Sequence, residues 1–251
     1  ADTRNHTIRQ VSAGGVVTTL AGFAHVPGST DGAGRDVRFN FPFGVTVAAD
    51  GTAYVADYAN HTVRKIAPGG FVTTLAGLAG TSGSTDGPGS EARFRNPYRV
   101  AVDAAGTVFV ADTGNHTIRR IAPDGVVSTI AGLPGTSGSD DGTGNAARFN
   151  RPAGVTVDVG GTLYVSDSDN HTVRKITTGG VVTTLAGLAR ASGTADGTGS
   201  AARFNRPSGL DVDAGGVVLV ADEFNHAIRR ISAGGQVTTV AEDVVRLHDT
   251  P

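Results

Sequence analysis

Five histidines recur at identical spacing. The pair Asn-His falls at Asn5-His6, Asn60-His61, Asn115-His116, Asn170-His171 and Asn225-His226, a step of 55 residues each time. An aspartate stands shortly before each pair, at Asp2, Asp57, Asp112, Asp167 and Asp222. Imidazole beside carboxylate is metal-ligand chemistry, but one Asp and one His per unit fall short of the ligand set of a closed zinc site. Asp and Asn are therefore expected to cap a turn through side-chain to backbone bonds, with His packed beside them.

Other residues with chemical potential follow the same period. Gly-rich loops carry Asp31, Asp86, Asp141 and Asp196, but each holds one or two carboxylates where calcium wants six to eight oxygens. Turn formation is the expected role, with calcium a minor alternative and no other cofactor expected. Arginine recurs at Arg9, Arg64, Arg119, Arg174 and Arg229, and again at Arg38, Arg93, Arg148 and Arg203. Two-pronged Arg–carboxylate bonds suit a latch between neighbouring units. No nucleophile elbow or Gly-rich phosphate loop is present. Asp103, Asp158, Asp211 and Asp213 leave room for a second reading, a carboxylate cluster on the axis of the fold serving a metal-dependent lyase or lactonase-like reaction.

Residues that break the period are the sharper clues. FRNPYRV, from Phe94, has Arg99 where FNFPFGV, FNRPAGV and FNRPSGL have Gly. Arg95, Tyr98 and Arg99 in this copy, Phe43 in another, and Arg151 and Arg206 in the rest form one candidate ligand-binding set, together with Tyr58 and Phe224 from the Asp-x-x-Asn-His loops. Asp169 and Glu223 break the pattern on those same loops. Aromatic rings beside cations suit an anionic or sugar-like ligand. The expected partner of Arg99, ligand apart, is a nearby Asp of the same fold.

The elements that position these residues are short. Within one unit, GVTVD, TLYVSD, HTVRKI and VVTTLAG are β-branched and bounded by Gly, Asp or Asn, which predicts four antiparallel strands joined by tight turns. A lone sheet of this kind cannot bury both faces, so the units must stack, and radial stacking leaves only short edges. The predicted class is all-β, a β-propeller of four-stranded blades. Strand alternation places the Asp-x-x-Asn-His loops and the long connections at one end. The connections are expected to turn tightly, drop Phe39, Phe94, Phe149 and Phe204 onto the sheets, and deepen a cup over the axis.

The phrases P-x-G-V-x-V and Y-V-A-D-x-x-N-H-x-V-R-K-I resemble the NHL repeat, over essentially the whole chain. The 55-residue period with its Gly-Asp-Gly insert is more similar to bacterial extracellular members than to the shorter eukaryotic RNA-binding ones. The resemblance implies a propeller, and that fold hosts many functions. One domain, 1–251, is expected: a half-blade at 1–22, full blades at about 39–77, 94–132, 149–187 and 204–241, and a tail, 242–251. Five blades result if the tail, through Val244–Asp249, completes the first; a fragment of a larger ring, or pairing of two chains through the incomplete blade in place of a monomer, is the rival.

Bulk properties restrict function further. The 251 residues carry a formal charge of −2, from 21 basic and 23 acidic side chains, so no net field draws the molecule to nucleic acid or to an anionic membrane. There is no Cys, hence no disulfide or thiolate site. No apolar run is long enough to span a membrane. No Met occurs, so the start reflects processing or a chosen boundary, and a removed secretion signal fits an extracellular or cell-surface setting. The expected function is a non-enzymatic binding module that recognises a protein, peptide or glycan through the loop-rich face.

Overall fold

A computed structural model describes residues 1–242. The regular elements are strands and single 3-10 turns. Blade 1 is a two-stranded sheet, Ile8–Val11 against Val17–Ala21. Blade 2 runs outward through Pro42–Val47, Ala53–Asp57, Thr62–Ile66 and Phe71–Ala76, all antiparallel. Blade 3 repeats this from Pro97–Val102 to Val127–Ala131, blade 4 from Pro152–Val157 to Val181–Ala186, and blade 5 from Pro207–Val212 to Gln236–Glu242. The tail expected to complete blade 1, including Val244–Asp249, lies beyond Glu242, outside the described residues.

Blades stack through alternate side chains. One face of blade 2, with Tyr54, Ala56, Val63 and Ala76, packs on Phe94, Val100, Val110 and Ile121 of blade 3. The same joint recurs between blades 3 and 4 around Phe109 and Phe149, and between blades 4 and 5 around Tyr164 and Phe204. Each insert phenylalanine is fully buried, as its place after a tight turn predicts. Innermost strands of successive blades lie against one another around the axis. Gly44 makes this approach possible, because a Cβ there would sit 2.6 Å from the Cα of Arg99.

The long connections depart from expectation. Each runs to the outer edge of the blade it precedes, adding a fifth, outermost strand on blades 2, 4 and 5, at Gly32–Ala33, Gly142–Thr143 and Gly197–Thr198, and a single Gly87–Val127 bridge on blade 3. They armour the periphery instead of deepening a cup on the axis. The reason is backbone satisfaction: an outermost strand leaves a row of unpaired amides and carbonyls, and the insert covers it.

Candidate functional site

Each Asp-x-x-Asn-His segment holds a 3-10 turn, set between the second and third strands in blades 2 to 5, and its Asp and Asn are consumed in holding it. Asp57 Oδ1 accepts the Asn40 backbone N–H at 2.7 Å, while Oδ2 accepts Asn60 Nδ2 at 2.7 Å and Arg64 Nη1 at 2.8 Å. Arg64 Nη2 reaches Asp31 Oδ1 at 2.6 Å, and its guanidinium lies 5.2 Å from the Phe39 ring centre. Blades 3, 4 and 5 repeat the set around Arg119, Arg174 and Arg229. Burial pushes Asp57, Asp112 and Asp167 up to about 6, against the three donors each receives.

The expected Asp–Arg latch is thus real, but it closes within one blade and its insert. Joints between blades use apolar packing and the histidines. Arg38, Arg93, Arg148 and Arg203 bond carbonyls of their own loops. The insert carboxylates are equally engaged: Asp31 also accepts the Thr74 N–H and hydroxyl. Asp103, Asp158 and Asp213 accept backbone N–H groups of the turns after the innermost strands, and Asp211 accepts the Thr156 hydroxyl at 3.3 Å, so the imagined axial carboxylate cluster does not form. No group of three or more His, Asp or Glu side chains placed to hold a metal ion occurs among the described residues.

The histidines do more than pack. His61, His116 and His171 sit at φ of +60°, +61° and +59°, a left-handed conformation costly for a side chain with a Cβ. Nδ1 of each accepts a backbone N–H from the next blade: Asn96 to His61 at 3.2 Å, Arg151 to His116 at 3.0 Å, Arg206 to His171 at 3.1 Å. His6 and Phe41 form the first such joint. The donor is always the residue before proline, itself at positive φ. Burial holds all four imidazoles below their ordinary value, as an acceptor nitrogen requires. The constant 35-residue offset from His to that residue was the signal available in the sequence.

With turn and joint residues occupied, the variable positions between them face the mouth of the axial channel. Register slips after the prolines of the innermost strands, between Pro42 and Val45 and between Pro97 and Val100, re-aim the side chains just beyond. A cavity of about 420 Å³ opens there. The turns contribute Tyr58, Thr113, Ser168, Asp169, Glu223 and Phe224 to its lining, and the strand starts contribute Tyr98, Arg151, Ala153, Arg206 and Ser208. Phe43 stacks on Tyr98 with ring centres 4.4 Å apart and meets Tyr58 edge-on at 5.0 Å, so it backs that wall.

Asp169 organises the opposite side. Its carboxylate lies 3.6 Å from Arg151 Nε and 3.1 Å from Arg206 Nη2, while Arg206 covers the Phe224 ring at 5.2 Å. Burial, then the charge of Glu223, raises the Tyr98 hydroxyl above its ordinary value.

Of the residues singled out from the sequence, Tyr58, Tyr98, Arg151, Arg206 and Phe224 line this cup. Arg95 lines a smaller neighbouring cavity of about 210 Å³ with His116. Arg99 is exposed and reaches across the channel, its Nη2 3.0 Å from where a Cβ on Gly209 would stand. It forms no ion pair among the described residues, so the expected Asp partner is not found there. Thr113, Ser168 and Ser208 escaped sequence reasoning, since nothing in a small hydroxyl residue reveals that it faces a channel.

Radial sheets around an axial channel, joined by a repeated Asp-Asn-His-Arg turn, define a β-propeller with one loop-rich mouth. The NHL repeat pattern matches residues 39–66, 94–121, 149–176 and 204–231. The chain belongs to the NHL-repeat family. NHL repeat-containing protein 2 of Bos taurus is 31% identical over 266 residues, covering 91% of this chain and 36% of that protein. The chain therefore spans about a third of the length of this curated relative. Among solved structures, an auxiliary nutrient binding protein from Bacteroides ovatus has a TM-score of 0.65 at 20% identity, covering 93% of this chain and 58% of that one. Virginiamycin B lyase from Staphylococcus aureus has a TM-score of 0.64 at 14% identity, covering 97% of this chain and 66% of that one. These likenesses concern the fold.

Proposed function

We propose that the chain is a binding module whose loop-rich mouth captures an extracellular or cell-surface protein, peptide or glycan. One observation carries the reading: Tyr58, Tyr98, Arg151, Asp169, Arg206, Glu223 and Phe224, most of the residues that break the repeat, gather in a single cup, while the repeated polar residues are spent on turns and blade joints. A concave site with aromatic walls and a few oriented polar groups is the ordinary form of a ligand pocket. No helix among the described residues is long and apolar enough to cross a membrane.

The test is capture from arrays of secreted-protein fragments, peptides and glycans by the wild type and by two variants, Tyr98→Ala and Arg206→Ala. Arg206 is half-exposed at the mouth, so Arg206→Ala should keep the wild-type melting temperature, whereas Tyr98→Ala removes a ring stacked on Phe43 and should lower it without unfolding the chain. Loss of capture in both is the expected result. Undiminished capture by both would remove the cup from the account.

A further inference from the structure

We infer that the cup is a subsite for a neutral pyranose unit, an inference that rests on the binding reading above. Charge balance is the first reason. Arg151 and Arg206 already share Asp169, and Glu223 adds a second carboxylate to the same lining, so two cations face two anions. An anionic ligand held by Arg151 and Arg206 would have to separate Asp169 from them and sit beside Glu223. A neutral ligand rich in hydroxyl groups leaves the pairs intact. It can accept from guanidinium N–H groups that Asp169 does not use and donate to the carboxylate's remaining lone pairs.

Shape is the second reason. Tyr58 and Tyr98 form one wall and are fixed from behind by Phe43, while Phe224, 53% exposed, stands under the Arg206 guanidinium. Sugar rings present apolar C–H faces and polar edges, and this lining pairs apolar ring surfaces with an oriented Arg–Asp–Arg row and the Ser168 and Ser208 positions. Preorganisation is the third. Arg151 and Arg206 are pinned at the backbone by His116 and His171, and Asp169 lies within the 3-10 turn Ser168–Asn170. The shared Asp169 carboxylate also tethers both guanidinium groups, so part of their side-chain freedom is lost before binding.

The experiment uses saturation-transfer NMR and calorimetry on the full chain. The probes are methyl glycosides of glucose, galactose, mannose and N-acetylglucosamine, with glucuronate and mixed acidic and basic peptides alongside. At least one neutral glycoside should bind, and Tyr98→Ala and Asp169→Asn should each weaken it by about tenfold or more. Glu223→Gln, at an exposed position, keeps the comparison interpretable if Asp169→Asn unfolds, and it too should weaken the glycoside. Binding of glucuronate or peptide that Tyr98→Ala abolishes, with no neutral glycoside bound, overturns the sugar assignment and leaves the binding module standing. Binding of no probe, or binding that no cup variant changes, overturns both.

Discussion

His116 shows how one residue ties the turn to the next blade. Its left-handed backbone is tolerated because Nδ1 receives the Arg151 N–H across the joint. The bond needs a neutral ring, so protonation removes the acceptor. A base whose folded-state pKa is depressed contributes stability that is present above its unfolded value, near 6.5, and lost as pH falls below it. The buried carboxylates work in the opposite direction: Asp57, Asp112 and Asp167, raised to about 6, favour the folded state as pH falls from there toward 3.8. Comparing the wild type with His116→Asn separates the two, since Asn accepts the left-handed conformation and does not titrate. The difference in melting temperature should be constant above about pH 6.5 and shrink below it. A difference that stays flat down to pH 5 would show that Nδ1 is not what the joint uses.

At the scale of elements, the unit to explain is a blade with its own insert clasped to it. Arg119 is wholly buried between Asp112 and Asp86, and Asp86 also holds the Thr129 N–H at 2.9 Å on the outermost strand. The two carboxylates are not equivalent, because Asp112 is buried and Asp86 is 46% exposed. Replacing Arg119 with Met leaves Asp112 buried without its counter-charge and should cost about 3–5 kcal/mol in urea denaturation. Asp86→Ala should cost only about 1 kcal/mol, since solvent replaces part of what is lost. Its signature is local: amide exchange at Gly87 and Val127 should quicken as the insert lifts away. Equal destabilisation by the two variants would contradict this division of labour.

At the scale of the whole molecule, stability resides in the joints between blades, and the joints are unequal. Tyr54, Phe109 and Tyr164 occupy the same repeat position and are 8%, 9% and 5% exposed, whereas Leu219, their counterpart on blade 5, is 46% exposed. Ile228 is 40% exposed at a position where Val63, Ile118 and Val173 are fully buried. Tyr164→Ala should therefore cost about 3 kcal/mol or more by opening a cavity between blades 4 and 5. Leu219→Ala should cost less than about 1 kcal/mol, as a half-exposed side chain gives up little burial. Chemical denaturation of the two variants makes the comparison, and a large loss at Leu219 would mean that this face is covered in solution.

The period of 55 residues, the strand pattern and the turn chemistry are all local, and from them the blades, the buried insert phenylalanines and the structural role of Asp and Asn were legible without coordinates. So was the grouping of Tyr58, Tyr98, Arg151, Arg206 and Phe224 at one end, because strand alternation alone assigns loops to ends. Local pattern could not say which carboxylate each arginine would meet: Arg64 finds Asp57 and Asp31 in its own blade because the insert folds back on the outer edge. Nor could it reveal that His Nδ1 bridges blades or that Arg99 crosses the channel toward Gly209. Those outcomes depend on distances between residues far apart in the chain. Radial packing sets those distances, and a repeated sequence carries the same local instruction in every copy whatever its neighbours turn out to be.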